Sequence, residues 1–215
     1  MLLGARARAV DEGCHLQGNL ACGQGGLASR SLMYLMLKIC DLPRLKIVSL
    51  ETRAEYVEEW ELRFLRHIFA EHVEIEVGIG YETHDPTLRN EVLGKGLTQD
   101  ELLTLLQHLS VNRMRLKAYL MLKPHYSLNE EQGIAEAIAG VDELANLGAE
   151  YDVPVSLHLN PTYIAKGCQL TDELVANGYE PPELTSVIEV VGAASRRGVP
   201  IYVGLDDEGM ALEGG

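Results

Sequence analysis

The sequence predicts an α/β protein whose strands form a partial (β/α) barrel. Three observations predict this fold: short runs rich in Val, Ile and Leu alternate with helical patterns, polar residues recur on one face of successive strands, and no linker or repeat divides the chain. The 215 residues are 47% apolar, which suffices for one domain with a hydrophobic core. This composition excludes collagenous, disordered and disulfide-stapled chains.

The strand and helix patterns follow one another in a regular order. Buried strands are predicted at residues 45–51, 73–82, 115–122, 153–160 and 199–205, and helices at 55–70, 98–109, 129–147 and 182–197. Thr98 and Asn129 are the predicted N-caps of the second and third helices, and Gly148 is predicted to end the third. Crossovers of this length place consecutive strands in parallel.

Two segments depart from this rhythm. Residues 162–181 are predicted to form a longer connection, and residues 1–29 an irregular N-terminal arm with weak periodicity. The predicted organisation is therefore an arm over residues 1–29 and a partial (β/α) barrel domain over residues 30–215.

Polar residues share one parity along four of the predicted strands. They are Ser49, Glu51 and Arg53; Glu76, Gly78, Gly80 and Glu82; Lys117, Tyr119 and Lys123; and Ser156, His158 and Asn160. A doubly wound sheet would bury both faces, at roughly 1–3 kcal/mol for each unpaired polar group. A curved, partly open barrel instead gives these groups a wet, ligand-filled lumen. The alternative is that some of these strands are edge strands facing solvent.

The candidate site residues lie near the carboxyl ends of the strands, where α/β barrels place their chemistry. They are Glu51, Arg53, Glu82, Lys123, His158 and Asn160. Gly78 and Gly80 remove side chains from the same face, so that a ligand could lie close to the backbone. Some of these residues could instead have a purely structural role and not bind a ligand. Glu51 could form a charge pair with Arg53, Lys117 could neutralise Glu76, and His158 could be a hydrogen-bonded core histidine.

Charge and cysteine content restrict the function classes. The formal charge of −14 disfavours nucleic-acid binding without another domain. No apolar run approaches the roughly 20 residues of a membrane span, and residues 4–12 are charged where a signal peptide would be apolar, so a cytoplasmic location is expected. The four cysteines contain no CxxC or CxxxC pair, which is typical of isolated thiols in a reducing compartment; they are Cys14, Cys22, Cys40 and Cys168.

Several segments resemble a known family. Residues 49–57 (SLETRAEYV), 74–83 (EIEVGIGYET), 94–96 (GKG), 117–124 (KAYLMLKP), 156–161 (SLHLNP) and 178–184 (GYEPPEL) occur in the same order as in radical S-adenosylmethionine proteins. The resemblance is to the group that contains the archaeosine synthase radical subunit, with the Elongator catalytic subunit as a more distant relative. It covers roughly residues 43–205.

The resemblance implies a partial (β/α)6 barrel of the radical SAM type, with S-adenosylmethionine and a [4Fe-4S] cluster as cofactors. It implies that the cluster is held by three closely spaced cysteines and that the cofactor is cleaved to a 5′-deoxyadenosyl radical. When the family's roles are transferred to the matching positions of this sequence, the resemblance implies that the cofactor-binding residues are Glu51, Arg53, Gly78, Gly80, Glu82 and Asn160. The substrate-binding residues would be Lys117, Lys123 and His158.

No CxxxCxxC motif occurs in this sequence, so no metal ligands are assigned. Residues 1–44 are also too few for two earlier strand–helix units, which predicts a fragment or degenerate homologue that lacks the N-terminal cluster part. Its expected function is that of a radical SAM-like protein related to tRNA-modifying enzymes. The alternatives are a non-catalytic module that binds an adenosyl ligand or a partner, and a barrel enzyme with Glu51 or Glu82 as base and Lys123 as electrostatic stabiliser. The open barrel edge predicts self-association or a partner subunit.

Overall fold

The computed structural model describes residues 6–10, 13–19, 29–167, 170–205 and 211. The strands are β1 (Arg6–Val10), β2 (Gly13–Asn19), β3 (Leu45–Thr52), β4 (Glu74–Glu82), β5 (Arg115–Leu122), β6 (Val155–Pro161) and β7 (Ile201–Val203). The helices are α1 (Ser29–Ile39), α2 (Glu59–Ile68), α3 (Gln99–Val111), α4 (Glu130–Tyr151), α5 (Thr171–Ala176) and α6 (Leu184–Arg196). A 3-10 turn at Ala54–Tyr56 and a π-helical turn at Leu88–Val92 complete the described elements.

The strand order of the sheet is the order of the strands in the chain, from β1 to β7. Strands β1 and β2 pair antiparallel, and the five strands β3 to β7 run parallel. A doubly wound sheet reverses its strand order at a switch point, whereas a barrel does not. The strand order therefore has no switch point, as expected for the alternating strands and helices of a partial barrel that the sequence predicts.

The chain divides into two compact units, and residues of β4, β5 and β6 belong to both. The first unit comprises Met1–Gly80, Leu97–Lys117 and Leu147–Val155, and the second comprises Tyr81–Gly96, Ala118–Asn146 and Ser156–Gly215. The core of the first unit includes Val48, Leu50, Leu62, Leu65, Ile75, Val77, Leu102, Leu105, Leu106 and Leu109, each at most 1% exposed. The core of the second unit includes Tyr81, Ala118, Leu120, Val141, Leu144, Leu157, Leu159 and Val190, all with no exposed surface.

Both predicted helix caps are present. Thr98 Oγ1 accepts a hydrogen bond from the Glu101 amide at 3.2 Å, and the Thr98 amide donates to Glu101 Oε2 at 2.8 Å. Asn129 Oδ1 accepts from the Gln132 amide at 2.9 Å, and Gln132 Oε1 accepts from the Asn129 amide at 3.0 Å. Each pair satisfies amides at a helix start that have no partner within the helix.

The predicted end of α4 at Gly148 is wrong, because the helix continues to Tyr151. A Cβ at Gly148 would lie 2.6 Å from Val155 Cγ2 and 2.9 Å from the Val153 carbonyl oxygen. The glycine is therefore required for close packing against the following segment and does not end the helix. The chain leaves α4 at Asp152, which has a positive φ of 54°.

Three other segments differ from the sequence-based expectation. The helix predicted at 55–70 is divided into the 3-10 turn and α2, because the backbone is extended at Val57. The connection predicted at 162–181 contains α5. The arm predicted to be irregular at 1–29 contains β1 and β2, whose pairing supplies the regular structure that its sequence pattern does not indicate.

Candidate functional site

The two faces of the central strands differ in exposure, as the alternation predicts. In β5, Leu116, Ala118, Leu120 and Leu122 are at most 1% exposed, and the residues between them are partly exposed. In β4, Ile75, Val77, Ile79 and Tyr81 are likewise buried, whereas Glu76, Gly80 and Glu82 are partly exposed. One face of these strands is thus covered by apolar packing, and the other has polar groups that solvent reaches.

In the first unit, this polar face carries four residues that we call the β3–β5 cluster: Ser49, Glu51, Glu76 and Lys117. The parallel register of β3 and β4 pairs Ser49 with Glu76 and Glu51 with Gly78. Ser49 Oγ donates to Glu76 Oε1 at 2.9 Å, and Lys117 Nζ lies 3.8 Å from Glu51 Oε1. Two carboxylates and one ammonium leave this cluster with an acidic balance, which suits a ligand with a positively charged group.

Gly78 leaves the position beside Glu51 without a side chain. The two Cα atoms are partners across β3 and β4, so a side chain at position 78 would stand next to Glu51 on the same face. Gly78 is buried and Gly80, two residues along, is partly exposed. The glycines therefore place no side chain of β4 beside Glu51 on this face.

Arg53 follows β3 and contacts the 3-10 turn. Its Nε lies 2.6 Å from Glu55 Oε1, and its guanidinium lies 5.7 Å from the centre of the Tyr56 ring. These contacts place the side chain beside the carboxyl end of the strand that carries Glu51.

In the second unit, the polar face carries an aromatic pair. The rings of Tyr119 and His158 stack with their centres 5.1 Å apart and their planes inclined by 23°. Gly204 packs beside them, since a Cβ there would lie 2.6 Å from Asn160 Oδ1 and 3.4 Å from His158 Nε2. Sequence reasoning did not single out Gly204, although a glycine directly after β7 was a signal for such a close approach.

Glu82 and Lys123 share an unusual backbone conformation at the ends of β4 and β5. Their φ angles are 66° and 54°, in the left-handed region that residues other than glycine rarely adopt. Such strain is held only where the surroundings stabilise it. Lys95 Nζ lies 2.8 Å from Glu82 Oε1 and provides one such contact.

Lys123 is held in a network that joins strand and helix ends. Its Nζ lies 3.0 Å from Glu130 Oε2, and its side chain is 11% exposed. Glu130 Oε1 also accepts from Ser186 Oγ at 2.5 Å and from the Glu183 amide at 2.9 Å. The hydroxyl of Tyr179 donates to the carbonyl oxygens of Lys123 and Thr162, at 2.7 and 3.1 Å.

This network shifts the pKa values of two of its members. Burial by itself would raise the pKa of Glu130, but the hydrogen bonds from Ser186, the Glu183 amide and Lys123 together lower it below its usual value. Burial raises the pKa of Tyr179, with a further contribution from the charge of Glu130. Lys123 therefore lies within a structural junction between β5, α4 and α6.

A second network, which is partly buried and which sequence reasoning missed, links the end of β4 and the segment after it to α4. The Tyr81 hydroxyl donates to Glu143, whose Oε2 also lies 2.8 Å from His84 Nδ1. The Arg89 guanidinium lies 4.7 Å from the centre of the Tyr81 ring and donates to the Thr83 carbonyl at 3.2 Å. Burial, followed by the hydrogen bond to Glu143, raises the pKa of Tyr81. No local signal predicts this network, because Tyr81 and Glu143 are 62 residues apart in the chain.

The described residues do not fit a three-cysteine cluster site. Among them, no three His, Cys, Asp or Glu residues could hold a metal ion together. The Cys40 thiol donates to the Leu37 carbonyl at 3.4 Å, Cys14 lies in β2, and Cys22 and Cys168 lie outside the described residues. No helix in the described part of the chain is long and apolar enough to cross a membrane.

No family model matches the chain. An uncharacterised protein of Methanocaldococcus jannaschii is 25% identical over 182 residues, which cover 85% of this chain and 48% of that protein. The archaeosine synthase subunit beta of Methanosarcina acetivorans is 29% identical over 161 residues, which cover 74% of this chain and 44% of that protein. The chain thus spans about half the length of the curated relatives it matches.

Among solved structures, the fold is similar to a domain of a pyruvate-formate lyase-activating enzyme from Bacteroides vulgatus. The TM-score is 0.56 at 10% sequence identity, and the match covers 86% of this chain and 97% of the other. The fold is therefore a partial (β/α) barrel, as predicted. This fold and the archaeosine synthase relative support the resemblance to the radical SAM superfamily.

Proposed function

We propose that this chain is a radical SAM-related protein that binds S-adenosylmethionine and serves a tRNA-modification system. The observation that carries the proposal is the β3–β5 cluster, in which Glu51 lies opposite Gly78. The partial barrel and the archaeosine synthase relative support it. A cytoplasmic location is part of the same proposal.

The chemistry of the ligand matches the cluster. S-adenosylmethionine has a positively charged sulfonium and amino group and one carboxylate, so it is a net cation, and the cluster has two carboxylates against one ammonium. We assign Glu51, Arg53, Gly78 and Gly80 of the first unit to cofactor binding. In the second unit, Glu82 and Asn160 have the same assignment. Substrate binding is assigned to Lys117, Lys123 and His158.

A second candidate function is a non-catalytic module that binds an adenosyl ligand. One observation favours it: the sequence contains no CxxxCxxC motif. The two candidates share the ligand and differ in whether a [4Fe-4S] cluster accompanies it.

The proposal includes a partner. The relative from Methanosarcina acetivorans is named as a subunit, and we propose that this chain also acts beside another protein. A formal charge of −14 opposes contact with a phosphate backbone, so recognition of RNA is assigned to that partner.

Isothermal titration calorimetry with S-adenosylmethionine tests the proposal. We expect stoichiometric binding that weakens roughly tenfold or more in Glu51→Gln. Glu150→Gln, an exposed glutamate on α4, is the matched control and should bind like the wild type. Absence of binding to the wild-type chain would refute the proposal.

Anaerobic reconstitution with iron and sulfide separates the two candidates. A stoichiometric, reducible cluster together with release of 5′-deoxyadenosine supports the enzyme. Binding of S-adenosylmethionine without a cluster supports the non-catalytic module.

A further inference from the structure

Helix α6 has an exposed apolar face. Leu184 and Ile188 are 68% and 69% exposed, and they lie one turn apart on the same side of the helix. The opposite side packs into the core of the second unit through Val187, Val190 and Ala194. Two large aliphatic side chains with most of their surface exposed, side by side, are typical of an interaction surface.

Gly192 lies one further turn along the same face. Glycine is unfavourable in a helix interior, so a glycine there usually serves a close approach. In α4, the ideal Cβ at Gly148 would clash with backbone and core atoms. At Gly192, the nearest atom among the described residues is the flexible Arg196 Nη1, at 3.4 Å. No other element of the described chain therefore packs closely against Gly192, so the described residues do not explain why the helix has a glycine here.

The charges beside this face are arranged for self-pairing. Glu189 and Arg196 flank the face on one edge, two turns apart, and both are exposed. Neither has an ion pair among the described residues. When two copies of one helix pack antiparallel, equivalent edges face each other. With the crossing point near Gly192, Glu189 of each copy lies opposite Arg196 of the other.

We propose that α6 docks against α6 of a second copy of this chain, antiparallel and about a two-fold axis near Gly192. Ile188 packs at the edge of the crossing point, whereas Leu184 lies about 12 Å from it, beyond the end of the facing helix. Two reciprocal Glu189–Arg196 ion pairs fix the orientation. Because each copy carries a charge of −14, the copies repel each other and the dimer is weak, with a Kd on the order of micromolar. The inference is independent of S-adenosylmethionine binding, since no cofactor residue takes part.

Sedimentation velocity of the full chain over a concentration series tests this proposal. We expect reversible dimerisation of the wild type. Each of Glu189→Arg and Arg196→Glu should weaken it roughly tenfold or more, because one substitution breaks both reciprocal pairs. The double variant Glu189→Arg/Arg196→Glu restores opposite charges at both positions, so its affinity should return towards that of the wild type.

Two further variants complete the test. Ile188→Asp should make the chain monomeric. Glu150→Arg makes the same change in net charge on α4 and should dimerise at least as well as the wild type. Circular dichroism verifies that each variant is folded. A wild type that stays monomeric, or a double variant that dimerises no better than the single variants, would overturn the proposal.

Discussion

The Lys123 ammonium lies 3.0 Å from the Glu130 carboxylate, where β5 ends and α4 begins. Lys123→Met removes the charge that faces this carboxylate. Breaking a fully buried pair costs about 3–5 kcal/mol, and the 30% exposure of Glu130 reduces this to about 1–3 kcal/mol. Urea denaturation measures the free energy of unfolding. Lys46→Met, at an exposed position of β3, is the control and should cost less than about 0.5 kcal/mol.

Glu130 also makes stability depend on pH. Its pKa in the folded chain is lower than its ordinary value of 4.5, so its contribution is fully present above pH 4.5 and is lost as the pH falls through the folded-state value. Glu130→Gln should therefore show a smaller loss of stability than the wild type on acidification below pH 4.5. Thermal denaturation as a function of pH checks this, and parallel curves for the two proteins would contradict it.

Tyr179→Phe removes a hydroxyl that donates to two backbone carbonyls. The expected loss in the free energy of unfolding is about 1–2 kcal/mol at neutral pH. Because burial raises the pKa of Tyr179 above its ordinary value of 10.0, the contribution of this group is present below pH 10.0 and is lost as the pH rises further. The difference between wild type and variant should narrow in alkaline urea titrations. A difference that widens above pH 10.0 would show that the hydroxyl is not held as described.

Gly148→Ala should destabilise the chain, although alanine is the better helix former. Helix propensity favours the change by about 1 kcal/mol, but the new Cβ clashes with Val155 and the Val153 carbonyl, for a net loss of about 1–2 kcal/mol. Gly192→Ala is the matched control, also in a helix interior, where the Cβ meets only a flexible guanidinium. Measured by denaturation of the dilute monomer, the control should be neutral or stabilising.

Gly78→Val tests the proposed cofactor site. The new side chain stands beside Glu51 and fills the space assigned to the ligand, so the Kd for S-adenosylmethionine should rise roughly tenfold or more. Because Gly78 is buried, circular dichroism must show that the variant is folded before its affinity is compared. Ile79→Val, on the apolar face, is the control with unchanged affinity. Equal affinities for Gly78→Val and wild type would place the ligand elsewhere.

Features encoded by neighbouring residues could be predicted from the sequence. Strand β5 has the predicted bounds because Leu116 and Lys117 begin a strict alternation that continues to its end. The caps at Thr98 and Asn129 depend on residues three positions away, within reach of a local pattern.

Features that depend on distant contacts could not be predicted. Gly148 resembles a helix stop until Val155 is seen packed against it. Strand parity does not indicate where the Lys123 side chain lies, because the positive φ at this residue ends the alternation. The hydrogen bond between Tyr81 and Glu143 joins residues that no local pattern connects.

The order of the strands has a consequence for how the chain acquires its structure. Each of the described strands from β2 to β7 lies beside the strand made just before it, so each can pair as soon as it has been made. Such an order shortens the loops that must close in the folding transition state. We expect the described strands to join the sheet in chain order as the ribosome delivers each β/α unit, with the most recently added strand open to the next.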